Sequence, residues 1–398
     1  MKFIRATVPL TSEPTLVLTM RFPSASCFLR RAAVPALLLA GISLAQAQNV
    51  TTDPVGAFVL TFAGNADTPA SIPLHRPAAL EAPVASVTGN IITLQPPVSL
   101  TADEFEYVSG TQSNTYYVQF LTGNKEGMYY TVTDNDSSNL TVNLNGDTLQ
   151  GNVAVGDVLQ VIPYWSLNTL FPSGQGINPS SSFSSLQRNS VIFLSDTTDP
   201  GINLGPAASY YYYNGTANVG PGWRQVGGNI SALQNDAVMY PDIYFIVRNS
   251  IPGNTTLTLL GGVPMSAYST PLTTLAANTT QDIPIGVSVP VPVTLAGSDL
   301  TTSGAFEESS SFGSTQRNDI LFVYGTPSTI NPAPVASYYY YNGTASGGAG
   351  WRLVGGNLSV IQDNNEIFQP GQAYIIRKKA TLSAQTVIWS FVPSYLTQ

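Results

Sequence analysis

The sequence contains few side chains of the kinds that catalyse reactions. Its single histidine, His75, excludes a metal site with two histidine ligands. A serine–histidine–aspartate triad would need His75 as its base, and no Gly-x-Ser-x-Gly turn is present to expose the serine. The single cysteine, Cys27, lies near the N-terminus, so the rest of the chain has no thiolate ligand and no disulfide. We therefore expect no enzyme, no cofactor and no transition metal, and we interpret His75 as a packed or turn residue.

Acidic residues form three short groups that could act together. The groups are Asp103, Glu104 and Glu106; Glu307 and Glu308; and Asp134 with Asp136. The first two could supply the paired carboxylates of a glycosidase, but their Ser- and Thr-rich surroundings indicate solvated loops. The third has oxygen ligands suited to calcium but lacks the twelve-residue EF-hand loop, so we interpret it as a turn.

Two tyrosine-rich segments are the strongest binding candidates. Each has four consecutive tyrosines, an Asn-Gly pair that favours a tight turn, and then Gly-Trp-Arg. The candidate residues are Tyr211, Tyr213, Trp223, Arg224, Tyr339, Tyr341, Trp351 and Arg352. On exposed strands these aromatic side chains could stack on sugar rings or contact a partner protein, where Tyr, Trp and Arg are enriched. Alternatively, both tryptophans and alternate tyrosines fill the core of each domain.

The elements that would position these residues are strands. Short apolar and β-branched runs, such as residues 257–260, are bounded by Gly, Pro, Asn and Asp. Outside the N-terminal leader, no amphipathic helical stretch is longer than about ten residues. The sequence therefore predicts an all-β fold.

An internal repeat organises the chain. The first copy reads FSSLQRNSVIFLSD, ASYYYYNGTA, GWRQVGGNIS and YFIVRN, and the second reads FGSTQRNDILFVYG, ASYYYYNGTA, GWRLVGGNLS and AYIIRK. A repeat of this length indicates a duplicated domain rather than a short solenoid unit. We expect two homologous β-sandwich-like halves, residues 48–262 and 263–398, in which residues 166–262 superpose on 295–391. Residues 84–165 have no counterpart and predict a small β-barrel or sandwich inserted in the first half.

The N-terminus has the pattern of a signal peptide. Arg30 and Arg31 precede an apolar run over residues 32–45, and Ala45-Gln46-Ala47 is typical of a cleavage site. Residues 1–47 are therefore predicted to be removed, with Met20 as the true start and Gln48 as the first mature residue. The run is too short for a permanent membrane span, which takes about 20 residues.

Composition excludes several classes of protein. A hydrophobic share of 43% with only 10% charged residues argues against wholesale disorder. The net charge is −8, and the predicted leader holds five basic residues and one acidic residue, so the mature chain is more negative still. Such a surface repels phosphate, which disfavours nucleic acids and anionic membranes as partners.

Several segments resemble a family of uncharacterised exported bacterial β-rich proteins. The resemblance rests on Asp53–Gly56, Pro73–Pro77, TGNKEGMYYTV, GDVLQVIPYWSLNTLFP and the paired GWR segments, and it covers essentially the whole mature chain. It implies export and this order of segments, but no activity, cofactor or catalytic residue. The second half has Ile285-Gly286 where Arg76-Pro77 would recur, so Pro73–Pro77 is not treated as a site.

These patterns together predict an exported, non-enzymatic protein with a structural or adhesive role in the cell envelope or extracellular matrix. The alternative is a carbohydrate-binding protein that uses the tyrosine hairpins, and a glycoside-processing enzyme is a third, weaker interpretation. The expected partners are cell-surface polysaccharide, other envelope proteins or a second copy of the chain. The destination is expected to be the periplasm, the cell surface or the medium.

Overall fold

The computed structural model describes residues 54–215, 219–325, 328–344 and 347–397. The leader predicted over residues 1–47 lies outside the described residues. Residues 53–398 form one compact unit. The regular secondary structure of the described residues is nearly all strand, with one four-residue α-helix, which confirms the predicted all-β class. That short helix has neither the length nor the apolar character that crossing a membrane requires.

The described part of the chain starts with two strands of the first half and then forms a barrel. The strands of the first half are β1 (Val55–Phe62) and β2 (Ala66–Ala70). The barrel strands are β3 (Leu80–Thr88), β4 (Ile91–Leu94), β5 (Tyr116–Phe120), β6 (Tyr129–Asn135), β7 (Asn139–Asn143) and β8 (Val158–Pro163).

The six barrel strands close in the order β3-β4-β7-β6-β5-β8. Alternate apolar side chains, among them Val118 and Leu140, fill the interior. The β3–β4 hairpin turns at Gly89-Asn90, where Gly89 has a φ of +61°, as the sequence pattern predicts. The barrel begins at Leu80, slightly before residue 84, at which the inserted module was predicted to start.

After the barrel the chain returns to the first half. Its elements are β9 (Trp165–Ser166), α1 (Leu167–Leu170), β10 (Ser190–Ser195), β11 (Pro206–Tyr213), β12 (Gly222–Gln225), β13 (Val238–Met239), β14 (Phe245–Asn249) and β15 (Thr255–Gly262). Five strands form a sheet in the order β12-β11-β10-β14-β2, while β1 pairs with β15 and β9 with β13. Because β2 precedes the barrel and joins this sheet, the barrel is an insertion within the first half.

The second half is continuous in sequence. Its strands are β16 (Tyr268–Thr274), β17 (Gln281–Gly286), β18 (Val293–Thr294), β19 (Ile320–Val323), β20 (Ala336–Tyr341), β21 (Gly350–Leu353), β22 (Glu366–Phe368), β23 (Ala373–Lys378) and β24 (Gln385–Phe391). Short 3-10 turns occur in both halves, at Pro172–Gly174, Ser185–Gln187, Ala296–Ser298, Ser314–Gln316 and Ser394–Leu396.

The second half has a five-stranded sheet in the order β21-β20-β19-β23-β17. In this direction each strand corresponds to one of the first sheet, β12-β11-β10-β14-β2. The hairpin registers also match, since Tyr211 pairs with Arg224 and Tyr339 pairs with Arg352. Each half has its own apolar core. Superposition of residues 166–262 on 295–391 along their whole length stays a prediction.

Candidate binding cleft between the two sheets

The eight residues proposed for binding lie inside the molecule. All are at most 2% exposed: Tyr211, Tyr213, Trp223, Arg224, Tyr339, Tyr341, Trp351 and Arg352. The strands that carry them pair as hairpins, as the sequence pattern predicts. Trp223 and Trp351 belong to the apolar cores, together with the alternate tyrosines Tyr210, Tyr212 and Tyr338. The four candidate tyrosines are buried on the other face of each sheet, so in this structure they offer no ring face to a ligand in solution.

The tyrosine run is covered on its outer face by the segment that contains the repeated Gln-Arg-Asn. The guanidinium of Arg188 lies 4.8 Å from the centre of the Tyr211 ring, and Phe183 stacks on Tyr213 with centroids 4.2 Å apart. The second half makes the same two contacts. The repeated Gln-Arg-Asn segment therefore covers a sheet and does not mark a site.

The arginine of each Gly-Trp-Arg segment binds the loops on both sides of its strand. Arg224 donates hydrogen bonds to the carbonyl oxygens of Ile230 at 2.6 Å, Gly220 at 2.8 Å and Trp223 at 3.0 Å. Arg352 binds the matching carbonyl oxygens within residues 347–358. These carbonyls satisfy the donors of a buried guanidinium, so the role of both arginines is structural.

His75 is packed at the junction between the first half and the barrel. It is 7% exposed, and its Nδ1 lies 2.6 Å from the carbonyl oxygen of Arg76. The ring lies so close to Gly262 that a Cβ there would collide with it. Arg76 donates to Asn114 Oδ1 at 2.8 Å and to the carbonyl oxygen of Tyr164 at 3.1 Å. The packed interpretation of His75 agrees with this placement.

Most of the acidic groups face solvent. Glu307 and Glu308 are exposed, as their surroundings predict. Asp103 and Glu106 of the first acidic group come together with Asp134 of the third, with one oxygen from each within 4.8 Å of the others. Three such carboxylates could hold a hard cation such as calcium. Exposed acidic groups often gather without an ion, so the cluster alone identifies no metal site.

A cleft of about 660 Å³ lies between the two five-stranded sheets. This volume is typical of small-molecule sites. Its walls come from β2, β10 and β14 of the first half, β17 and β23 of the second, and the loops that follow β10 and β19. Two cavities near the barrel hold only about 10 and 20 Å³, enough for water alone. The cleft is therefore the better candidate for a ligand.

One side of the cleft is closed by a loop of the second half. Arg248 on β14 binds the buried carboxylate of Asp67 on β2 through Nε at 2.7 Å and Nη2 at 2.8 Å. The backbone N–H of Asn331 donates to the same carboxylate at 2.9 Å, and Arg248 donates to the Asn331 amide oxygen at 3.0 Å. The hydrogen bond with Asp67 raises the pKa of Arg248, so the guanidinium of Arg248 stays protonated at neutral pH.

The reciprocal contact comes from a loop of the first half. Arg377 on β23 binds Asp282 on β17 at 2.7 and 2.9 Å, and the Asn203 backbone N–H donates to that carboxylate at 2.9 Å. The hydrogen bond with Asp282 likewise raises the pKa of Arg377. The loop that carries Asn331 thus contacts the Asp–Arg pair of the first half, and the loop that carries Asn203 contacts the pair of the second half. These contacts hold the two walls of the cleft together.

Aromatic rings supply apolar surface between the polar clusters. The guanidinium of Arg248 lies 4.8 Å from the centre of the Phe193 ring. Tyr244 and Tyr324 meet edge-on with centroids 6.5 Å apart. Burial raises the pKa of both tyrosines, and a nearby carboxylate, Asp67 for Tyr244 and Asp282 for Tyr324, raises it further. Both hydroxyls are therefore neutral near pH 7 and can donate hydrogen bonds.

The sequence analysis missed the cleft, although two repeated signals point to it. β2 and β17 both carry Asp-x-Pro, at Asp67 and Asp282, and both inserted loops carry Ile-Asn, at Asn203 and Asn331. These short matches are much weaker than the tyrosine runs. Their pairing across the two halves depends on tertiary structure, which the sequence spacing does not reveal.

No family model, curated protein or solved structure matches this chain. Strand order and sheet pairing describe its architecture but assign it no activity. A functional argument must therefore come from the geometry and chemistry of the cleft.

Proposed function

We propose that this protein is an exported, non-enzymatic protein of the cell envelope that adheres to polysaccharide, and that it holds a saccharide segment in the cleft between its two sheets. The observation that carries this proposal is the combination of a cleft of about 660 Å³ with aromatic walls and fixed polar groups. The predicted leader supports export. The negative charge of the mature chain disfavours nucleic acid as the ligand.

A saccharide suits this surface because it combines apolar ring faces with many hydroxyl groups. Phe193 and the half-buried Tyr324 offer ring surface. The side chains of Asn203, Asn331 and Asp196 at the rim offer oxygen acceptors for hydroxyls. The strongest charges of the cleft are already neutralised in Asp–Arg pairs, which favours a neutral ligand over a charged one.

The same pairs support a binding role over hydrolysis. A glycosidase needs one carboxyl group that donates a proton and a second that acts as base or nucleophile. Asp67 and Asp282 each accept hydrogen bonds from an arginine fork and a backbone N–H. Both carboxylates are therefore already engaged in contacts within the protein, which supports a binding role for the cleft.

The test is a titration of the purified mature protein against a panel of bacterial polysaccharides and cell-wall fragments. Tyr324→Ala should weaken binding by about tenfold, equivalent to ~1.4 kcal/mol, because it removes one ring from the wall. Tyr324→Phe should retain most of the affinity. The matched control is Tyr107→Ala on the barrel, where the side chain is 40% exposed.

Thermal melts of all three variants separate loss of binding from loss of folding. If folded Tyr324→Ala bound saccharides as tightly as the wild type, the cleft would not be the binding site. If no polysaccharide in the panel bound the wild type, the saccharide class would be wrong.

A further inference from the structure

A lysine and an aspartate are buried against each other in the second half. Asp319 immediately precedes β19 and Lys378 ends β23, two paired strands in which Ile320 lies opposite Arg377. The side chains of Lys378 and Asp319 are 7% and 1% exposed, and Nζ contacts Oδ2 directly. An amine and a carboxyl group are therefore held together away from water.

Backbone groups fix both side chains. The Lys379 N–H donates to Asp319 Oδ1 at 2.8 Å, and the Glu307 N–H donates to Oδ2 at 2.7 Å. Lys378 Nζ also donates to the carbonyl oxygen of Ala305 at 2.7 Å. The amine and the carboxyl group thus have little freedom to separate. Groups held together in this way can react with effective concentrations of about 10⁵–10⁸ M.

The fold itself does not need an ion pair at this place. In the first half the matching strand positions hold Ser190 and Asn249, whose side chains form a neutral hydrogen bond. The Asn178 N–H donates to Ser190 as the Glu307 N–H donates to Asp319. Two buried charges are costly to remove from water, and a neutral pair performs the same packing role. The lysine and aspartate therefore call for an explanation beyond packing.

We infer that Lys378 and Asp319 condense to an intramolecular amide bond. A proton first moves from the ammonium Nζ to Oδ2, which gives the neutral amine and the carboxylic acid that the condensation requires. Nζ then attacks Cγ, and the electron pair of the C=O bond moves to Oδ1, where the Lys379 N–H stabilises the charge.

The remaining steps of the reaction release water. A second proton moves from Nζ to Oδ2, the Cγ–Oδ2 bond breaks, and the electron pair on Oδ1 restores the carbonyl. One C–N bond has formed and one C–O bond has broken, and the single product besides the amide is water. No oxidant, reductant or third reactant is required. This cross-link would tie β19 to β23, and the advantage of such a link to an exported protein rests on the function proposed above.

Peptide mapping of the purified full chain tests the inference directly. Trypsin cleaves after Arg317, Arg352 and Arg377 but not after an acylated Lys378. The expected product is a branched peptide in which residues 318–352 are joined to residues 378–379, lighter than its two parts by one water molecule. Fragment spectra should place the link on Asp319 and Lys378.

Two variants serve as controls. Lys379→Gln removes a lysine whose side chain is 50% exposed and keeps the backbone N–H, so the amide should still form. Because trypsin no longer cleaves after residue 379, the branched product should then join residues 318–352 to residues 378–398. The double variant Asp319→Ser, Lys378→Asn introduces the pair that the first half already accommodates, so it should fold, lack the branched peptide and melt at a lower temperature.

Recovery of residues 318–352 as a free peptide from the wild type, together with a Lys378 that reacts with amine reagents after denaturation, would overturn the inference. Saccharide titration of the double variant is a separate readout. Binding there should match the wild type, so failure of the amide and failure of the cleft proposal are distinguishable.

Discussion

Tyr339 provides a sharp test of whether the tyrosine hairpins are core or surface. Its side chain is fully buried, and the guanidinium of Arg317 lies 4.7 Å from its ring centre. Replacing a buried large aromatic residue by alanine typically lowers the free energy of unfolding by about 3–5 kcal/mol, and the lost contact with Arg317 adds about 1 kcal/mol. Tyr339→Ala should therefore be strongly destabilising, and Tyr211→Ala should behave similarly.

Removal of only the Tyr339 hydroxyl group is expected not to lower the stability of the protein. Among the described residues, the Tyr339 hydroxyl oxygen is buried without a hydrogen-bond partner. An unsatisfied buried hydroxyl carries a desolvation penalty of about 1–3 kcal/mol, so Tyr339→Phe should leave stability unchanged or raise it. The alanine variant removes the ring, whereas the phenylalanine variant removes only the oxygen.

Thermal and urea unfolding of the two variants measure both effects. The exposed control Tyr107→Ala should change the free energy of unfolding by no more than about 0.5 kcal/mol. A nearly neutral Tyr339→Ala, or a Tyr339→Phe as damaging as the alanine variant, would refute the buried assignment. At temperatures where Tyr339→Ala remains folded, its retention on cell-wall material should equal that of the wild type.

Three further predictions concern other parts of the chain. Against the effect of burial, hydrogen bonds from Lys125 and Tyr130 lower the pKa of Asp147. This contribution to stability is full above the unfolded pKa of about 3.9 and is lost as pH falls through the folded value. Melting temperature should therefore fall less in acid for Asp147→Asn than for the wild type, and equal slopes would contradict this. Arg352→Lys loses the fork that holds residues 347–358, so amide exchange there should accelerate while the barrel stays protected, and unchanged exchange would count against the anchoring role. N-terminal sequencing of exported protein should begin at Gln48, and a mature chain that retains the apolar run would contradict the predicted cleavage.

The strands were predictable because their signals are local. Apolar runs bounded by turn residues indicated the all-β class, and Gly89-Asn90 indicated a hairpin from neighbouring residues alone. The hairpin of β11 and β12 was predicted from the Asn-Gly pair, but its register was not, because eight residues separate Tyr213 from its partner Gly222. The exact start of the barrel was harder to predict, because β3 begins in a Pro- and Ala-rich segment in which apolar and polar residues alternate little.

The candidate site was not predictable by the same means. Exposure of a tyrosine depends on what covers the sheet, and the covering residue Arg188 is distant in sequence from the ring of Tyr211 that it contacts. The contact of Asp67 with the backbone of Asn331 joins opposite ends of the chain. No spacing rule for strands or helices connects residues so far apart, so the cleft emerges only when the two sheets are placed together.

The most direct test of the central claim is the position of a bound saccharide. A crystal structure of the mature protein with the tightest-binding oligosaccharide of the panel would show it. We expect a sugar ring between the two sheets, within about 4 Å of Tyr324 and with hydroxyls bonded to Asn203 or Asn331. A saccharide bound on the barrel or on an outer sheet face, with the cleft unoccupied, would show that the cleft is not the binding site.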